Sequence, residues 1–163
     1  MNKTLITFFT VLFCLTSSVG WSLEKKDLVV RDGLYYKKFT EVPFTGNITG
    51  EEKGKLKNGK SEGSWIAYWE NGQLWYKGDY KNGKQEGSWV HYHENGQLMS
   101  KGDYKNGKKE GSWVSYYTNG QLDYKGEYKN GKQEGSWVWY DENGTIITEL
   151  LTGTYKDGKR ISD

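Results

Sequence analysis

Tryptophan sets the period of this chain: Trp65, Trp89, Trp113 and Trp137 stand 24 residues apart. The segments around them are near-copies. GSWIAYWENGQLWYKGDYKNGK, starting at Gly63, is followed by GSWVHYHENGQLMSKGDYKNGK from Gly87 and GSWVSYYTNGQLDYKGEYKNGK from Gly111. Self-similarity at a short fixed period means that each unit is one supersecondary element, able to bury its apolar face only against its neighbours. The chain is thereby restricted to a stacked array.

Each unit holds two Asn-Gly pairs, such as Asn71-Gly72 and Asn82-Gly83. Asn-Gly between alternating segments predicts a type I′ hairpin, because that turn needs φ > 0 at both central residues. Asn and Gly reach that conformation at least steric cost. Two turns per unit give two strands per unit, and the fold class is all-β: an elongated, curved, single-layer antiparallel meander of hairpin repeats. Two-residue turns also set a register. Trp65 then faces Gly78, Ala67 faces Tyr76 and Trp69 faces Leu74; across the next turn Tyr76 faces Trp89 and Gly78 faces Gly87. Side chains alternate along a strand, so Trp65, Ala67, Trp69, Leu74, Tyr76, Gly78 and Tyr80 share one face. Ile66, Tyr68, Trp75, Lys77 and Asp79 share the other. A strand glycine leaves a hole that a cross-strand ring can cover. The expected ladder is Trp65 over Gly78, Trp89 over Gly102 and Trp113 over Gly126, with Trp137 the last of the scaffold tryptophans.

The flanks differ from the repeat. Residues 1–20 read as a cleaved secretory signal, with Lys3 in a basic head, an apolar run from Leu5 to Leu15 and small residues after it. That run is too short for a comfortable transmembrane helix. The single cysteine, Cys14, lies inside it, so the mature chain is expected to lack cysteine and therefore disulfides. Export places the protein in the periplasm or outside the cell. Residues 21–52 read as an atypical N-terminal capping unit, with short strands about Asp32-Gly33 and an edge segment at Val42-Pro43-Phe44-Thr45-Gly46. Residues 53–163 read as the repeat array with its C-terminal cap. There the glycine expected after Asn143-Gly144 arrives three residues late, at Gly153, with Ile146-Ile147 and Leu150-Leu151 filling the insertion.

The formal charge of +2 argues against a nucleic-acid binder that tracks phosphates. No Gly-x-Ser-x-Gly elbow, phosphate-binding loop or His-Glu-x-x-His is present, so neither a catalytic residue nor a cofactor is expected. His91 and His93 are the only histidines and share a face, but a metal site needs three or four ligands. Their counterparts in the other units are Ala67/Trp69, Ser115/Tyr117 and Trp139/Asp141, which read as variable surface positions, and no metal is expected. Recognition is expected where the aromatic face varies between units: Ala67, Trp69, His91, His93, Ser115, Tyr117 and Trp139. Trp65, Gly78, Trp89, Gly102, Trp113, Gly126 and Trp137 are the invariant frame beneath them. Lys81, Lys84, Lys105, Lys108, Lys129 and Lys132 flank turns on one edge. This is ordinary solubility design, with attraction to anionic lipid or polysaccharide as the alternative reading.

The phrase YKGDYKNGKQEGSWVHYHENGQL resembles the bacterial variant of the MORN repeat (membrane occupation and recognition nexus), often labelled as YwqK-type antitoxins. Gly33-Leu34-Tyr35-Tyr36 and Pro43-Phe44-Thr45-Gly46 look like the lead-in unit of those proteins. The resemblance implies elongated antiparallel sheets that act as scaffolds, dimerise or bind phospholipid; the antitoxin label implies neutralising a toxin by direct contact. The expected function is a non-enzymatic exported scaffold that binds a protein partner or an envelope component. The alternatives are an antitoxin-like protein, a module for anionic lipid or glycan, and self-association through the end units.

Overall fold

The computed structural model describes residues 22–147 and 152–162. Fourteen strands occur among them: β1 (Ser22–Glu24), β2 (Leu28–Arg31), β3 (Leu34–Lys37), β4 (Gly46–Thr49), β5 (Glu52–Lys57), β6 (Lys60–Tyr68) and β7 (Leu74–Lys81). The rest are β8 (Lys84–Tyr92), β9 (Leu98–Lys105), β10 (Lys108–Tyr116), β11 (Leu122–Lys129), β12 (Lys132–Trp139), β13 (Gly153–Lys156) and β14 (Lys159–Ser162). β2 and β3 pair only with each other, and the other twelve form one sheet in the order β1, then β4 through β14. At a strand spacing of ~4.8 Å this sheet is ~50 Å long across its strands.

From β4 onward the sheet is the antiparallel meander that the repeat predicts. The exception is β1, which runs parallel to β4 with Ser22 opposite Asn47. Between the two, the chain passes through a 3₁₀ turn at Lys25–Asp27 and the β2–β3 hairpin, and that crossover returns it in the same direction. The segment at 42–46, expected as an edge segment, makes an isolated bridge from Pro43 to Tyr36, and its last residue, Gly46, opens β4 opposite Leu56. Phe44 instead enters a small aliphatic-aromatic core with Leu28, Ile48, Leu56 and Trp65. At the other end Gly153 pairs with Trp137, so the late glycine recovers the place of its counterparts. Leu150, Leu151 and the signal segment lie outside the described residues.

The Asn-Gly pairs fall into two classes, where the sequence predicted one. Asn82 and Gly83 both take left-handed φ (51° and 79°), as do Asn106-Gly107 and Asn130-Gly131. These are the expected type I′ turns. At Asn71-Gly72 only the glycine is left-handed. The Gly72 N–H donates to Trp69 O and the Trp69 N–H to Gln73 O, both at 2.8 Å, which is a type I turn closed by a glycine bulge. Tyr68 therefore opposes Leu74 while Ala67 opposes Tyr76, leaving Trp75 without a partner across the strand. Trp69 does not face Leu74; its ring packs on Trp75 at 4.7 Å.

A second bulge moves the tryptophans. Asp79 faces Glu86, but Lys77 faces Val90, so Gly87, Ser88 and Trp89 together span the place of Gly78. Tyr76 consequently pairs with His91 and not with Trp89. Gly87 supplies the left-handed kink (φ 66°) that this needs. The result corrects the expected ladder. Trp65 and Gly78 are register partners, yet the indole lying against Gly78 is that of Trp89. A Cβ on Gly78 would fall 2.4 Å from Trp89 Cδ2, and the same holds for Gly54 with Trp65, Gly102 with Trp113 and Gly126 with Trp137. Every indole leans back onto the glycine of the preceding strand. Trp89, Trp113 and Trp137 then donate their ring N–H, at 3.1 Å, to the carbonyl just after that glycine, on Asp79, Asp103 and Glu127. Trp65 has no such partner for its buried N–H; the Lys25 ammonium lies over its ring at 5.8 Å.

Candidate functional site

The seven variable positions on the aromatic face divide into two groups with different jobs. Ala67, His91, Ser115 and Trp139 belong to one row that crosses the strands: Ala67–Tyr76–His91–Ser100–Ser115–Tyr124–Trp139, each opposite the next. Ala67 and Ser115 are 0% and 9% exposed, too covered to meet a partner. A small residue sits beside a tyrosine at each of these two, so variation here exchanges volume between neighbouring strands in a packed layer. Trp139 stacks on Tyr124 at 4.5 Å and on Trp137 at 5.8 Å.

Trp69, His93 and Tyr117 share one task despite their different chemistry. Trp69 Nε1 donates to Tyr92 O at 3.1 Å, and Tyr117 OH donates to Tyr140 O at 2.8 Å. His93 Nε2 lies 2.9 Å from Tyr116 O; since a carbonyl can only accept, this nitrogen carries the proton. Each of the three ties its loop to the loop one repeat further on. His93 is thus engaged, while His91 stacks on Trp89 (5.8 Å) and lies beside Tyr76 (6.0 Å). Among the described residues no three His, Cys, Asp or Glu side chains gather as a metal set.

Burial holds the His91 pKa below the ordinary value, and the nearby Lys109 charge pushes the same way. A histidine depressed on folding contributes stability that is complete above the unfolded pKa of about 6.5 and is lost as the pH falls through the folded value. We expect the thermal midpoint to drop on acidification below neutral pH, and His91→Gln to flatten that limb. An unchanged acid limb in the variant would assign the loss to other groups.

Three features of this layer escaped sequence reasoning. Lys109 stands where two other units have Gln85 and Gln133, and its ammonium sits 4.0 Å from the Trp113 ring and 4.9 Å from that of Tyr128. Tyr76 and Tyr124 pack on Trp89 and Trp137, both at 5.5 Å; the corresponding residue 100 is serine, and Trp113 carries the cation instead. Burial lowers the Lys109 pKa and lifts that of Tyr124 to about 12. Glu62, Glu86 and Glu110 each accept the backbone N–H of the asparagine in the following type I′ turn, at 2.8 Å. Asn71, Asn95 and Asn119 donate their amides to carbonyls of the next loop, also at 2.8 Å. A fixed offset between Glu and the later Asn in every unit was the available signal for the second feature. At the N-terminal end Lys25 pairs with Glu52 at 2.7 Å, and Tyr76 OH donates to the same carboxylate at 3.0 Å.

The opposite face is less consumed by internal contacts. Two shallow clefts lie along it, of about 510 and 470 Å³. Serine, β-branched and lysine side chains repeat along their walls: Ser88, Ser112 and Ser136, then Val114 and Val138, then Lys101 and Lys125 in the larger one. Ser64, Ile66 and Lys77 hold the matching places in the smaller. Lys77, Lys101 and Lys125 form no ion pair among the described residues.

Four consecutive segments, residues 61–82, 85–106, 109–130 and 133–157, match the MORN repeat variant, and together they span more than half of the chain. The chain belongs to the MORN repeat variant family. No curated protein matches it. MORN repeats are generally binding modules for proteins or lipids. In this MORN array each matched segment runs from the first residues of one long strand, through its glycine bulge and its first turn, to the first residue of the next left-handed turn, and carries one of the scaffold tryptophans.

Proposed function

We propose that this MORN protein is a non-enzymatic, exported scaffold that binds a partner protein along the Ser/Val/Lys face. The observation that carries the reading is the pair of clefts there. They lie on the face opposite the one whose variable residues are spent on packing and on loop-to-loop bonds. Their apolar floors and unpaired lysines fit a segment that presents apolar side chains about 10 Å apart, two strand spacings, with carboxylates beside them. Residues 1–20, read as a secretory signal, support export.

Ser88 and Ser112 are exposed on this face, and Ser88→Glu with Ser112→Glu is expected to weaken partner capture at least about tenfold by like-charge repulsion and lost fit, with the thermal midpoint lowered only by the facing carboxylates of Asp103 and Glu127. The assay is co-purification from the native host, with mass spectrometry of the mature N-terminus. One stoichiometric partner, lost in the double variant, beside a chain that starts near Trp21 in the exported fraction, is the expected result. A full-length chain held in the cytoplasm beside a toxic partner would instead support an antitoxin role. Salt-sensitive binding to anionic vesicles or polysaccharide in place of a protein would move the function to the lysine edge.

A further inference from the structure

The two classes of Asn-Gly turn differ in a chemical property as well as in shape. Asn-Gly is the dipeptide most prone to deamidation, since glycine leaves its backbone nitrogen unhindered. That nitrogen attacks the asparagine Cγ; the new C–N bond forms as the Cγ–Nδ2 bond breaks, and the amide departs as ammonia. Water then opens the succinimide to aspartate or isoaspartate. In both turn classes the glycine N–H is held alike: Gly83 donates to Ser61 O and Gly72 to Trp69 O, each at 2.8 Å. The asparagine side chains are not held alike. Asn71, Asn95 and Asn119 are fixed at both ends, with Nδ2 on the next loop and Oδ1 accepting the N–H of Gln73, Gln97 and Gln121 at 2.9–3.0 Å. The side-chain amides of Asn82, Asn106 and Asn130 make no hydrogen bond among the described residues and are exposed.

We infer that Asn82, Asn106 and Asn130 are modification sites, deamidating spontaneously to aspartates that the fold accepts, so that the lysine edge of the sheet changes charge as the molecule ages. The fold already shows the product. Asp157-Gly158 closes the last turn of the same edge with the same left-handed pair (φ 52° and 80°). Its backbone bonds repeat those of the asparagine turns: the Asp157 N–H donates to Glu134 Oε2 at 3.0 Å, and the Gly158 N–H to Gln133 O at 2.9 Å. The Asp157 carboxylate lies 3.7 Å from Lys132 of the preceding turn. One repeat earlier, the equivalent neighbours of residues 130 and 106 are Lys108 and Lys84, whose stems already lie under the turn glycines Gly131 and Gly107. Three conversions would take the formal net charge from +2 to −1. Asn58, tied to Thr45 Oγ1 at the capped end, is not in this set.

The test is to age the full purified chain at mildly alkaline pH, folded and in guanidinium. Peptide mass mapping then gives the rate of mass gain at each asparagine. The ratio of folded to denatured rate removes the effect of neighbouring residues. One net hydrogen bond on the amide corresponds to about fivefold, so the ratio is expected to be at least about fivefold higher at Asn82, Asn106 and Asn130 than at Asn71, Asn95 and Asn119. Equal ratios, or the reverse order, would overturn the assignment. Asn106→Asp tests acceptance of the product and is expected to fold with an unchanged thermal midpoint; a lowered midpoint would overturn that half.

Discussion

Gly102→Val destabilises the protein by about 3 kcal/mol or more, at or beyond the top of the usual range for overpacking, and the loss traces to Trp113. A Cβ at residue 102 would lie 2.3 Å from two Trp113 ring atoms, and the ring has nowhere to go: its N–H is bonded to Asp103 O and its other side carries Lys109. The milder Gly102→Ala permits a double-mutant cycle that separates the two neighbouring tryptophans. Trp113→Ala makes room for the new methyl, so its effect and that of Gly102→Ala should fall short of additivity by about 1 kcal/mol or more. Trp89→Ala, although Trp89 is the register partner of Gly102, should combine with it additively. Thermal or denaturant unfolding of the variants gives the answer. Coupling to Trp89 and not to Trp113 would contradict the backward lean of the indoles.

Trp89→Ala is expected to cost roughly 3–5 kcal/mol, the range for removing a large buried aromatic. Trp89 is 1% exposed and touches Tyr76, Tyr80, His91 and Tyr104. In a one-dimensional array each unit contacts only its neighbours, and the loss falls at the junction between β7 and β8. The variant should therefore unfold in two steps, with amides of β9–β12 protected from hydrogen exchange longer than those of β5–β8. A single cooperative transition, lowered but undivided, would show instead that coupling between units exceeds the stability of each.

The period, the number of strands and the meander were legible from the sequence because they depend on spacing alone. Register was not, and its failure is instructive at two residues. Asn71 and Asn82 precede glycine in similar company, yet only the second adopts the left-handed conformation. Asn71 Nδ2 is bonded to the carbonyl of Glu94, a contact 23 residues away that no local pattern shows. The bulge at Gly87 was hidden because it inserts two residues and so preserves face parity; Trp89 stays on its predicted side while moving to a different glycine. A related constraint operates at the variable positions. Trp69, His93 and Tyr117 look unlike one another as letters, but a ring N–H and a phenol O–H can reach the same carbonyl. Variation there records several ways of meeting one geometric demand, and the lined clefts lie on the face where the sequence varies least.

The backward lean of each indole gives the array a direction in time. A tryptophan takes its glycine from the strand that precedes it in the chain; the strand that follows adds a tyrosine ring at its side, as Tyr104 does for Trp89. Synthesised or threaded through a membrane from its N-terminus, each hairpin therefore finds its seat already built and can lock as it emerges. Among the described residues, the seat that no matched repeat provides is that of Trp65, at Gly54, and there the small core of Leu28, Phe44, Ile48 and Leu56 stands ready to start the sequence.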